Sequence, residues 1–117
     1  MKILLIDGFT KALSCKNKKV FLTDKEFLLF EYISSRRWGD NIPVREIISH
    51  VWCGREAAIG RLNISQLIFR LRRKLELLDN AAKITFSMLN GISFIFLEKC
   101  IVLRNSYLFR FLTILIP

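Results

Sequence analysis

Arg61–Leu75, RLNISQLIFRLRRKL, decides how the chain is read. Its apolar residues Ile64, Ile68, Leu71 and Leu75 recur at spacings of four, three and four, which predicts one face of an α-helix. At about 100° per residue, Gln66 and Arg73 point the opposite way, with Asn63 and Arg70 beside them. The stretch holds five basic residues, Arg61, Arg70, Arg72, Arg73 and Lys74, and no acid. One face is therefore apolar enough to dock on a domain, and the other is a guanidinium-rich, amide-bearing stripe. Such a stripe suits the major groove of DNA. Arg can bond guanine O6 and N7 together, and Asn or Gln can bond adenine N6 and N7. The plainer alternative is a surface helix with a solvated charged face.

Bulk properties agree with a single folded unit and a polyanionic partner. A chain of 117 residues suits one domain, and 52% hydrophobic against 25% charged residues supplies a core. The formal net charge of +9 favours nucleic acid or an anionic membrane surface. Cys15, Cys53 and Cys100 are odd in number and far apart, which argues against a disulfide framework or a zinc site and fits a reducing compartment. No secretory signal opens the chain. His50 is the only histidine, and no nucleophile triad, paired carboxylates, phosphate-binding glycine loop or metal-ligand cluster is visible. The expectation is a non-enzyme without cofactor or metal.

Outward from the basic helix, Lys2–Ile6, Phe9–Leu13 and Lys18–Leu22 read as short strands, with Asp7-Gly8 and Ser14–Asn17 as the turns between them. The opening MKILLIDG is similar to the first strand of a receiver domain, but the βα units that a receiver needs do not follow. Thr23 with Glu26 three residues on forms a capping box for a helix running to about Arg36. Gly39–Asn41 breaks the pattern, and Pro43 opens a second helix with Val44, Ile47, Ile48, Val51 and Trp52 on its apolar face. Cys53–Gly60 is a loop, Asp79-Asn80 ends the basic helix, and Lys83–Phe86 and Ile92–Leu97 read as a hairpin turning over Ser87–Gly91. Phe27, Leu28, Phe30, Ile47, Ile48, Trp52, Ile68 and Leu71 are the expected core.

Three segments in this order carry a resemblance. Leu22-Thr23-x-x-Glu26-Phe27-x-Leu29, Val44-Arg45-Glu46-Ile47-Ile48 with Val51-Trp52, and Ile68-Phe69-Arg70-Leu71-Arg72-Arg73-Lys74-Leu75 resemble the three helices of the OmpR/PhoB-type winged-helix DNA-binding domain. Ile84 and Gly91 to Phe94 fit the ends of its wing pattern. The match covers about residues 2–96. With no receiver before it, and with Asn63-Ile64-Ser65-Gln66-Leu67-Ile68 in the third helix, it is similar to the CadC/ToxR-like branch, in which a cytoplasmic winged helix precedes a transmembrane helix and a sensory domain.

The resemblance implies an α+β winged helix-turn-helix: an N-terminal four-stranded antiparallel sheet, three helices and a C-terminal hairpin wing. It assigns residues 1–97 to the domain and 98–117 to an apolar tail, a truncated membrane anchor or an interaction segment. It implies a cytoplasmic transcription regulator whose partner is double-stranded DNA, with RNA polymerase, a second copy on direct repeats and, through the tail, the inner membrane face as further candidate partners. Gln66 and Arg70 would read base edges, Asn63 and Arg73 would come next, and Phe69 would touch a thymine methyl. Arg72 would meet phosphate or the turn between helices, and Arg61 and Lys74 would meet phosphate or remain free surface charge. The wing departs from the family. Phe86, Ser87, Met88 and Leu89 replace its usual residues, Gly91-Ile92 replaces Gly-Tyr, and no charge stands between Thr85 and Phe94. A basic tip for the minor groove is thus missing. Two other readings follow: a protein-interaction module that kept the fold but lost specific DNA reading, and a membrane-associated regulator fragment.

Overall fold

The computed structural model describes residues 2–36, 41–78, 82–87, 89, 91–96 and 100–104. It is an α+β arrangement of three helices and two small sheets. The elements in chain order are β1 (Lys2–Asp7), β2 (Ala12–Cys15), β3 (Lys18–Phe21), α1 (Asp24–Ser35), β4 (Asn41–Ile42), α2 (Val44–Val51), a short 3₁₀ turn (Glu56–Ala58), α3 (Arg61–Glu76), β5 (Ala82–Ser87), β6 (Gly91–Phe96) and β7 (Cys100–Arg104). The expected turn residues Gly39 and Asp79-Asn80, the hairpin residue Met88, Leu97 and the tail beyond Arg104 lie outside the described residues.

The first sheet has the order β3-β2-β1-β7. The meander β1-β2-β3 is antiparallel, and its strands differ in place from the sequence expectation. Asp7 explains the difference: its Oδ1 accepts the backbone N–H groups of Phe9 at 2.9 Å and Thr10 at 3.3 Å. That local turn draws residues 8–11 out of the sheet, with Lys11 in the left-handed region at φ 58°. The strand therefore starts at Ala12, Phe9 is exposed, and the turn into β3 shrinks to Lys16-Asn17. The fourth strand is not N-terminal. β7 runs parallel to β1, with Lys2 opposite Cys100 and Ile6 opposite Arg104. Cys100–Arg104 of the expected separate tail are thus paired into the sheet.

The helices follow their sequence signals closely. Thr23 caps α1: its Oγ1 accepts the Glu26 N–H at 3.3 Å, and Glu26 Oε1 accepts the Thr23 N–H at 2.9 Å. Pro43 is the residue before α2 rather than its first member, and makes no side-chain cap. The core joins Leu4, Leu13 and Val20 of the first sheet, Phe27, Leu29, Phe30 and Ile33 of α1, Ile47, Val51 and Trp52 around α2, and Ile64, Leu67, Ile68, Leu71 and Leu75 of α3. Leu28 and Ile48, expected inside, are only partly buried, while Leu29 takes the fully buried place on α1. No helix among the described residues is long and apolar enough to cross a membrane.

The second sheet has the order β4-β6-β5. The β5–β6 hairpin occupies the place expected from sequence, with Ser87 opposite Gly91. β4 falls where the sequence pattern predicts only a break; it is two residues long and pairs Asn41 with Ser93 and Ile42 with Ile92. Gly91 makes this junction possible. Its φ is +84°, and a Cβ there would lie 2.0 Å from the Ile42 carbonyl oxygen. The close backbone approach leaves no room for a side chain, and backbone cannot yield as a flexible side chain would. Gly91→Ala is expected to destabilise the fold by about 3 kcal/mol or more, through steric overlap added to left-handed strain. Thermal denaturation of the two proteins checks this; a melting temperature within a few degrees of wild type would contradict it.

Candidate nucleic-acid interface

α3 is set on the domain by its buried row Ile64, Leu67, Ile68, Leu71 and Leu75, each at most 2% exposed. The opposite face is therefore turned to solvent by packing. Arg61, Asn63, Gln66, Phe69, Arg70 and Arg73 are exposed, while Arg72 and Lys74 are half-buried. The Arg73 guanidinium lies 6.0 Å from the centroid of the Phe69 ring, within cation–π range.

One buried carboxylate organises the base of this face. Glu26 is 1% exposed, although its sequence pattern points only to a capping role. Lys74 Nζ donates to Glu26 Oε1 and also to the Phe21 carbonyl oxygen at 2.8 Å. Arg70 Nε lies 3.8 Å from Glu26 Oε2, and the Arg70 side chain is still 58% exposed. Burial pushes the Glu26 carboxyl up. The Lys74 hydrogen bond, the Thr23 N–H and the positive charges of Lys74 and Arg70 outweigh it and hold the group below its ordinary 4.5. Lys74 is therefore a structural tether from α3 to α1 and the end of β3, rather than free surface charge. The sequence could not show this, because its partner stands far away in the chain.

Asn63 is also committed. Its Oδ1 accepts the backbone N–H of Gly60 at 2.9 Å, satisfying the residue just before α3, where glycine has no side chain to help. A bidentate grip on adenine would use the second lone pair of that same oxygen, so the Gly60 contact sets the orientation of the amide without occupying it fully. Gln66 is exposed, and Arg70 is exposed beside Glu26. Arg72 lies toward the hairpin, and its Nε is buried without a hydrogen-bond partner among the described residues.

A groove of about 580 Å³ opens between α3 and β5, lined by Ser65, Gln66, Phe69, Arg70, Arg72 and Phe86 among others. Phe86 is a lining residue to which the sequence reading assigns no role. Its alternation in the hairpin is the available signal. Between α1 and α2, Tyr32 donates to Glu46 Oε2 at 3.2 Å, and Arg36 donates to the same oxygen at 3.2 Å. His50 stacks on the Tyr32 ring with centroids 4.4 Å apart. Burial, then the hydrogen bond and charge of Glu46, push the Tyr32 hydroxyl up, with Arg36 opposing them. This cluster ties α1 to α2. The described residues hold no group of three or more metal-ligating side chains.

The Glu26 network has a pH signature. A carboxyl held below its unfolded value contributes stability that is complete above that value, near 4.5, and is lost as pH falls through the lower folded-state value. Glu26→Gln is expected to lower stability by about 1–2 kcal/mol at neutral pH, with the gap from wild type closing as pH falls below that range. Urea titrations across acid pH measure it; a gap that stays constant would remove the charge from the explanation. Compared with models of known protein families and with curated proteins, the chain matches none.

Proposed function

We propose that this chain is a sequence-specific DNA-binding transcription regulator of the OmpR/PhoB winged-helix type, with α3 lying in the major groove. The observation that carries the reading is the outer face of α3. Gln66, Arg70 and Arg73 stand exposed on a helix that has no acid between Arg61 and Leu75, in a chain of net charge +9. The order of three helices followed by the β5–β6 hairpin is compatible with that fold. Arg61, Arg72 and Arg73 supply phosphate attraction, which sets affinity and its salt dependence. Gln66 and Arg70 supply base reading, since both chemistries fit the major-groove code. Glu26 lies beside the Nε of Arg70 while most of the side chain reaches solvent, which supports a base-reading role for its terminal nitrogens. Two copies on direct repeats, contact with RNA polymerase and a cytoplasmic site of action belong to the same proposal.

A second reading has one observation in its favour. Leu62 and Phe69 on α3, Leu77 just after its end and Leu89 in the hairpin are all more than half exposed, and the hairpin tip lacks charge. Apolar side chains on an outer face suit a protein partner. Retained binding to unrelated proteins with no salt-dependent shift of any duplex would favour it.

Arg70→Ala is expected to weaken binding to the preferred duplex by about 1–3 kcal/mol and to relax selection at one base position. Selection from random DNA, followed by band-shift titration at two salt concentrations, tests this. Identical sequence preferences for wild type and variant would take base reading away from Arg70. Absence of any enriched duplex would end the DNA reading.

A further inference from the structure

We infer that the groove between α3 and β5 is a thymine-reading notch, in which Phe69 and Phe86 form apolar walls for the 5-methyl group and Gln66 and Arg70 present donors to the O4 oxygen. The inference rests on the DNA reading above and names the base that this site takes. Thymine's major-groove edge combines a methyl group with a single acceptor, a pairing no other base offers. The groove has the same two chemistries side by side. Phe69 is 58% exposed on the helix, and Phe86 is half-buried on the facing strand. Gln66 and Arg70 line the same space, and both carry N–H donors.

Charge complementarity decides the occupant. The walls are apolar, but the helix beside them carries Arg61, Arg70, Arg72 and Arg73 with no acid between Arg61 and Leu75, and Glu26 faces only Arg70 of these four, so the groove sits in a field that draws a polyanion. An apolar peptide would have to bury these guanidinium groups against carbon; a DNA duplex brings phosphates to them. The notch also gives the hairpin a part in recognition. With no cation between Thr85 and Phe94, its tip has no side chain suited to minor-groove phosphates, Lys83 standing at the other end of β5. Phe86 lets it act in the major groove instead, as the second wall beside the reading helix.

The experiment uses the full chain and a duplex enriched from random DNA, with each thymine replaced in turn by uracil. That exchange deletes one methyl and keeps the base pair. At one position the uracil duplex is expected to bind about fourfold more weakly, the effect of removing one buried methyl. Phe69→Ala, at an exposed position that leaves the core intact, is expected to bind the thymine and uracil duplexes equally at that position. Phe86→Ala is expected to do the same, with its melting curve as the check on folding. Phe86→Leu replaces it if the alanine variant unfolds, and a reduced discrimination is then expected. No uracil effect at any position, or an effect that survives in Phe69→Ala, overturns the notch while leaving DNA binding in place. Failure to enrich any duplex overturns the DNA reading itself, and the notch with it.

Discussion

The burial of Glu26 is the constraint on which the arrangement of this domain turns. A carboxylate taken out of water must find compensating charge and hydrogen bonds, or it is strongly destabilising. Here the compensation comes from three directions: the start of its own helix, Lys74 and Arg70. Lys74 in turn holds the carbonyl of Phe21 at the end of β3. One side chain thus ties the first sheet, α1 and α3 together, and it fixes the rotation of α3 about its axis. Apolar packing alone would tolerate some rotation, because hydrophobic contact has no direction. A buried charge does not, since its partners must stay within bonding distance. Which residues of α3 face outward is therefore set by Glu26 together with the isoleucines and leucines beneath the helix.

The same residues show what a sequence can and cannot disclose. α3 is legible because its row of Ile64, Ile68, Leu71 and Leu75 repeats within a single helix, and periodicity is local information. The α1 cap is legible for the same reason, Thr23 and Glu26 being three residues apart. The roles of Lys74 and Asn63 are not. Both look like members of one basic, amide-bearing stripe, yet one is drawn inward by a distant acid and the other by the backbone before its own helix. β4 escapes notice because two residues carry no pattern, and its partner β6 lies about fifty residues away. Of the candidate site, the exposed Gln66, Phe69, Arg70 and Arg73 are readable from the helical wheel, whereas Phe86 joins them only once β5 is brought beside α3.

The two sheets play different parts. The second sheet depends on backbone proximity at Gly91, where the carbonyl of Ile42 fills the space a side chain would need. That contact anchors the hairpin to the strand leading into α2. The first sheet depends instead on the interior residues Leu4, Leu13 and Val20, which press against the helices.

The parallel pairing of β1 with β7 gives this chain an order of events. Lys2 and Cys100 are neighbours in space but nearly a hundred residues apart in sequence. During synthesis β1 can pair with β2 as soon as both have left the ribosome, while its other edge must wait for β7. Through that interval an unpaired strand edge is open to pairing with any extended segment nearby, including the same strand of another nascent copy. Contacts of such long range also slow the last stage of folding, because their loop must close before pairing rewards it. β7, the last of the described strands along the chain, thus marks the end of the interval in which the edge of β1 lies open to misassembly.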